Sequence, residues 1–143
     1  MSKFFQVLFI CIVFLIQPLS WAQTLCFKSI GTQSQVIRLA LKLPEEPSKL
    51  GSIKYEHGTG VITIERRREK SISPKKSIPA VISTEFSEIV RGKLTGTYYL
   101  TTQGAVVGEL VYKPARKAKL YRFMDDQDSY LSESCSWNIA SKP

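Results

Sequence analysis

The sequence predicts an all-β fold, in which a small antiparallel meander of strands closes into a barrel. After residue 22, apolar side chains recur at every second position, which is the period of a half-buried strand. Turn residues separate these segments at short spacing, as between antiparallel neighbours. Cys26 and Cys135 lie near the two ends of this region, and a bond between them would bring the first and last strands together. A two-sheet β-sandwich is the alternative that the same pattern allows.

The first 22 residues are predicted to be a secretory signal peptide. Lys3 precedes an apolar run over residues 4–16, and small residues precede the proposed cleavage site before Gln23. The run is shorter than the roughly 20 residues that a helix needs to cross a bilayer, so we do not expect stable membrane insertion after cleavage. The remaining chain, residues 23–143, is expected to form a single all-β domain.

Nine strands are predicted, and they follow one another with short connections. Residues 57–60 contain Gly58 and Gly60, which are expected to take the positive φ angles of a tight hairpin. Residues 66–79 carry little apolar content and are predicted to be a mobile connection. Gly96 lies inside a strand, where it marks a bulge or makes room for a large neighbour. The predicted strands are 25–29, 37–43, 52–56, 61–65, 81–90, 93–101, 105–112, 119–124 and 130–137.

Cys26 and Cys135 are predicted to form a structural disulfide, because an exported chain meets an oxidising environment. A catalytic cysteine is the alternative, and it needs a positioned base. His57 is the single histidine of the chain and lies in a predicted turn. We therefore expect no cysteine or serine nucleophile with a histidine base.

Neither a metal site nor a cofactor is expected from the remaining motifs, and the protein is not predicted to be an enzyme. Two cysteines and one histidine give no zinc-ligand spacing. The acids of residues 125–133 do not have the spacing of a calcium loop. Glu85 and Glu88 fall on opposite faces of one predicted strand. A hydrolase that uses an acid pair drawn from the glutamates is the least favoured class; its candidates are Glu85, Glu88, Glu109 and Glu133.

Basic charge is the most distinctive feature, because 20 Lys and Arg residues outnumber 12 Asp and Glu residues. Clustered cations attract anionic partners, and arginine forks suit phosphate and carboxylate groups. We expect recognition of anionic envelope material or of an acidic protein, although the same charges also serve solubility. Nucleic acid is not expected, since the first group lacks interleaved aromatic residues. The two groups are Arg66, Arg67, Arg68, Lys70, Lys75 and Lys76, and Lys113, Arg116, Lys117, Lys119 and Arg122.

The aromatic residues of the later strands supply a core, and alternatively line a cavity for a small apolar ligand. In general shape, an exported, disulfide-tied meander resembles the lipocalin-like barrels and the small β-structured lysozyme inhibitors of bacterial envelopes. The first resemblance implies a carrier and the second an inhibitor. The Gly-x-Trp signature of lipocalins is missing, so no residue role is carried over from either family. The expected location is the bacterial periplasm, with the extracellular space as the alternative.

Overall fold

Eight strands form a closed antiparallel barrel in the computed structural model, which describes residues 23–31, 34–73, 76 and 78–138. Each strand pairs with the next along the chain, and β8 pairs with β1. The predicted barrel is therefore confirmed and the sandwich is excluded. The predicted signal peptide lies outside the described residues. The barrel strands are β1 (Thr24–Ser29), β2 (Arg38–Lys42), β3 (Leu50–Tyr55), β4 (Val61–Ile72), β5 (Val81–Val90), β6 (Lys93–Gln103), β7 (Val106–Pro114) and β8 (Tyr121–Asp125).

Cys26 and Cys135 form the predicted disulfide, with their Cα atoms 5.8 Å apart. Backbone pairing of β1 with β8, with Phe27 opposite Asp125, closes the barrel. Leu25 and Phe27 point into the core, so Cys26 between them faces outward. The disulfide thus attaches the C-terminal segment to the outer wall of the barrel.

The predicted ninth barrel strand over residues 130–137 is wrong. Two short strands, β9 (Tyr130–Leu131) and β10 (Ser134–Cys135), pair with each other instead, between two single 3₁₀ turns. This segment covers an outward-facing apolar patch of β1 and β2 with Tyr130 and Trp137. Local alternation predicts extended backbone here but does not reveal that the barrel already closes with β8.

The predicted mobile connection over residues 66–79 is also wrong in its first half. β4 continues to Ile72 and pairs with β5 throughout, with a register shift between Arg66 and Arg68. The strand tolerates this charged sequence because its backbone groups are paired with β5, while the outward side chains stay in water.

Two hairpin turns differ in how they reverse the chain. The β5–β6 turn uses positive φ angles at Arg91 and Gly92, of 50° and 72°, which suit the twist of a two-residue hairpin. The predicted β3–β4 hairpin is present. Its glycines do not need positive φ angles, however, since neither Gly58 nor Gly60 adopts one. The longer connection between these strands supplies the reversal without that conformation.

The middle of the barrel is filled by inward-facing side chains. Every second residue of the strands contributes to this core, as the period of two requires. The described residues contain no helix of the length and hydropathy needed to span a membrane. The largest fully buried core residues are Tyr98, Phe27, Phe86, Phe123, Leu39, Leu41, Ile53, Ile64 and Leu110.

Candidate ligand-binding site at one end of the barrel

A pocket opens at the end of the barrel formed by the β1–β2, β3–β4, β5–β6 and β7–β8 connections, which we call the tyrosine end. Its volume is about 310 Å³. This size is at the lower limit for pockets that hold small molecules. The walls are apolar or aromatic apart from one lysine; the lining residues are Ile37, Tyr55, Tyr112, Pro114, Lys117, Tyr121 and Phe123.

Three tyrosines on adjacent strands form one wall of this site. Tyr98, Tyr112 and Tyr121 lie opposite one another in the registers of β6, β7 and β8. The rings of Tyr98 and Tyr112 stack with their centroids 4.5 Å apart, and those of Tyr112 and Tyr121 are tilted at 6.2 Å. Offset and tilted rings attract one another, so the three rings form one continuous aromatic wall from the buried Tyr98 to the pocket.

Glu88 is a buried carboxylate, with only 5% of its surface exposed, and it is bonded to the pocket-lining Tyr112. It accepts hydrogen bonds from the hydroxyls of Thr95 at 2.6 Å, Tyr98 at 2.7 Å and Tyr112 at 2.8 Å. The Tyr98 hydroxyl is also 2.9 Å from the Tyr55 hydroxyl. A buried charge is tolerated when several donors satisfy it, and here three hydroxyls do so. We call these five residues the Glu88 cluster.

A β-bulge and a glycine shape the Glu88 cluster. The β5–β6 register shifts after the Glu88–Gly96 pair, which leaves Thr95 as the extra residue and turns its hydroxyl toward Glu88. Strict alternation would have pointed Thr95 outward. A Cβ atom on Gly96 would lie 2.5 Å from the Tyr112 hydroxyl oxygen, so the glycine makes room for this large neighbour.

The tyrosines of the cluster remain protonated at physiological pH. Burial is the main cause that raises the pKa of Tyr98, and the neighbouring Tyr55 and Glu88 raise it further. Burial and the hydrogen bond to Glu88 also raise the pKa of Tyr112. Burial raises the pKa of Tyr55 despite its hydrogen bond to Tyr98. Each of these side chains is therefore a neutral hydroxyl with one proton to donate.

The rim of the tyrosine end combines exposed apolar side chains with cations. Lys117 lines the pocket, and the Lys119 ammonium lies 5.2 Å from the centroid of the Tyr121 ring. Exposed apolar residues accumulate on the loops and strand ends here and extend the apolar character of the pocket outward; they are Ile30, Val36, Val61, Val90, Leu94 and Leu120.

Four residues of the first predicted basic group, Arg66, Arg67, Arg68 and Lys70, lie on β4, away from the tyrosine end. Arg66 points into a smaller hollow of about 200 Å³ at the opposite end and is paired with Glu46. Arg67 lies 3.5 Å from a carboxylate oxygen of Glu65. Carboxylates therefore partly neutralise this group. Arg68, Lys70 and Lys76 are exposed, and Lys75 lies outside the described residues.

The second predicted basic group is divided between the outer wall and the pocket mouth. Lys113 is exposed on β7, and Arg122 on β8 forms a two-point pair with Glu109. Arg116, Lys117 and Lys119 lie in the β7–β8 connection at the tyrosine end. The structure thus does not join the two basic groups into one surface, and it brings part of the second group to the pocket.

Asp126 is a buried acidic residue outside the pocket that has structural partners. Its carboxylate lies 3.1 Å from the Lys28 ammonium and 3.4 Å from the Arg38 guanidinium. Burial tends to raise the pKa of its carboxyl, but the Ser129 hydrogen bond and both cations hold that pKa below its usual value. Within the described ranges, no three or more His, Cys, Asp or Glu side chains are grouped to hold a metal ion.

The glutamates and histidine considered for catalysis are not brought together. Glu88 faces the interior, whereas Glu85 lies on the outer face of β5 opposite Tyr99. His57 is exposed in its hairpin, 3.8 Å from Glu56. Sequence reasoning missed Tyr55 as a site residue and considered Glu88 only as a member of a catalytic acid pair. The signal was present for Glu88, since its position alternates with the inward-facing Phe86.

No family model, curated protein or solved structure matches the chain. The class that the fold defines is an eight-stranded up-and-down barrel with a pocket at one end.

Proposed function

We propose that the protein is an exported, non-catalytic barrel that binds a small ligand with an aromatic or alicyclic body in the pocket of the tyrosine end. The observation that carries the proposal is the open pocket of about 310 Å³ with aromatic walls on a rigid barrel. Concave apolar sites with a few fixed polar groups are the usual form of small-molecule sites. The proposal develops the carrier interpretation of the sequence.

Charge at the rim supports an acidic group at the outer end of the ligand. Of the residues that line the pocket, Lys117 is the charged one, and Lys119 lies close by on Tyr121. An anion near an exposed lysine gains a modest, salt-dependent attraction. The cations of the second basic group thus serve the same site, and the anionic partner expected from the sequence becomes a small acidic molecule.

Export is supported by the N-terminal sequence and by the disulfide. Structural disulfides persist in oxidising compartments, and Cys26 and Cys135 form such a bond. The periplasm remains the first location that we propose, with secretion as the alternative. Recognition of a larger anionic surface by the first basic group remains a prediction.

Naphthoate is a suitable test probe, because it is fluorescent and combines a flat apolar body with one carboxylate. We expect saturable one-to-one binding to the oxidised protein and chemical-shift changes at the pocket residues. Ile37→Trp should fill the pocket and abolish binding. Leu50→Trp is the matched control, since Leu50 is exposed at the opposite end of the barrel. Binding that is equal in both variants, or absent from the parent protein, would refute the proposal.

A further inference from the structure

The direction of each hydrogen bond in the Glu88 cluster follows from counting protons. A tyrosine hydroxyl has one proton to donate and can also accept. Glu88 receives the protons of Tyr98 and Tyr112 on its two oxygens. The Tyr98 hydroxyl has therefore no proton left for Tyr55, and Tyr55 must be the donor in the bond that joins them.

This order leaves two of the three tyrosines that line the pocket without a free proton. Tyr55 donates to Tyr98, and Tyr112 donates to Glu88, while both side chains line the pocket. Both hydroxyls bond to buried side chains, Tyr98 and Glu88, so they lie on the side of these pocket-lining residues that faces the barrel interior. Their oxygens keep lone pairs, so this side of the pocket offers hydrogen-bond acceptors.

We infer that the pocket selects ligands that place a hydrogen-bond donor, a hydroxyl or N–H group, against the hydroxyl oxygens of Tyr55 and Tyr112. The inference rests on the proposed function and specifies which ligand class that site takes. Together with Lys117 at the mouth, it describes a small acidic molecule with a hydroxyl or amino group at the end remote from its acid.

Two physical effects strengthen this selection. Each tyrosine that donates toward a carboxylate becomes a better acceptor, because chained hydrogen bonds polarise one another. A ligand acceptor such as an ether oxygen would meet two further acceptors and would lose its own hydration without compensation. Selection thus acts by attraction of donors and by exclusion of acceptors.

Hydroxynaphthoate and its methyl ether test the inference, with plain naphthoate as the reference. We expect the hydroxyl probe to bind about two- to tenfold more tightly than the reference, from one net hydrogen bond. The ether should bind more weakly than the reference. In Tyr55→Phe the advantage of the hydroxyl should shrink. Tyr99→Phe is the matched control: it removes a tyrosine hydroxyl from the outward face of β6, outside both the pocket and the Glu88 cluster, and should preserve the preference.

Glu88→Gln provides a second test, in which the direction of the chain reverses. The amide orientation that keeps its carbonyl on Thr95 and Tyr112 retains two of the three bonds and places its NH₂ against Tyr98. Tyr98 then accepts from that amide and donates to Tyr55, which frees the Tyr55 proton for the pocket. We expect the ether to gain affinity relative to the hydroxyl probe in this variant.

The outcomes separate the inference from the proposed function. If the hydroxyl probe and the ether bind with equal affinity, and Ile37→Trp abolishes the binding of both, the inference is overturned and the pocket remains a binding site. The absence of binding by all three naphthoates would overturn both. If Glu88→Gln does not fold, the comparison of Tyr55→Phe with Tyr99→Phe decides the inference.

Discussion

Replacement of Tyr98 by Phe is the sharpest stability test of the buried cluster. The substitution keeps the ring that stacks on Tyr112 and removes only a hydroxyl. That hydroxyl donates to Glu88 at 2.7 Å and accepts from Tyr55 at 2.9 Å, and the side chain has no exposed surface. The change therefore isolates two buried hydrogen bonds from the packing of the barrel.

The expected loss is the sum of one hydrogen bond to a charged group and one between neutral groups. The first contributes about 1.5 to 3 kcal/mol and the second about 0.5 to 1.5 kcal/mol, so Tyr98→Phe should lower the free energy of unfolding by about 2 to 4.5 kcal/mol. For a domain of this size that corresponds to a fall in Tm of about 8 to 18 °C.

Urea unfolding of the oxidised protein, followed by circular dichroism, measures this loss at an unchanged m value. Tyr99→Phe is the matched control, because Tyr99 is the next residue of β6 and faces outward. It should change stability by less than about 0.5 kcal/mol. A Tyr98→Phe variant as stable as the control would refute the assignment of Tyr98 as the bridge between Tyr55 and Glu88.

Three further predictions follow from the wall of the barrel. Gly96→Ala should destabilise the fold by about 1 to 3 kcal/mol, because the new methyl group collides with the facing tyrosine; Gly60→Ala, which meets open space, is the control in the same thermal scan. The folded-state pKa of Asp126 is lowered, so its contribution is present above the unfolded pKa of about 3.9 and is lost as the pH falls through the folded value. Urea midpoints measured from pH 7 to pH 3 should therefore fall less steeply in Asp126→Asn, and equal slopes would contradict this. Replacing Cys26 and Cys135 together by Ser should lower the free energy of unfolding by about 4 to 5 kcal/mol at most, since the bond closes a loop with a sequence separation of 109. An unchanged free energy of unfolding in the double variant would show that the bond does not stabilise the fold.

Local patterning was sufficient for much of the barrel, and it failed where a long-range contact decided the outcome. β5 begins and ends as predicted, because a strict alternation is bounded by turn residues on both sides. The predicted strand ends at residue 65, whereas β4 continues to Ile72, because the charged residues that follow resemble a loop in the sequence and only their pairing with β5 makes them a strand. The direction of Thr95 depended on a bulge that alternation cannot reveal.

The candidate site was harder to predict than the fold, because its parts come from separate strands. The basic residues were visible as runs along the chain, but their pairing with carboxylates was not. Glu46, the partner of Arg66, lies on another segment, and Glu65 meets Arg67 only because both lie on β4 in the folded barrel. Glu88 gave a weak signal as a charged residue at an inward position. Tyr112 was visible only as one of several aromatic residues that form a core or line a cavity, and Tyr55 gave no signal, since an aromatic residue at such a position is usually part of a core.

By itself, the sequence determined an all-β meander and the pairing of Cys26 with Cys135. These depend on the period of two, on turn residues at short spacing and on the presence of two cysteines in the described part of the chain. Only the tertiary structure decided that β8 closes the barrel, that the disulfide lies on the outer wall, and that Glu88 collects three hydroxyls, one of them from the pocket-lining Tyr112. The physical reason is that register and shear place distant residues side by side, and neither quantity is written in the local alternation of apolar and polar side chains.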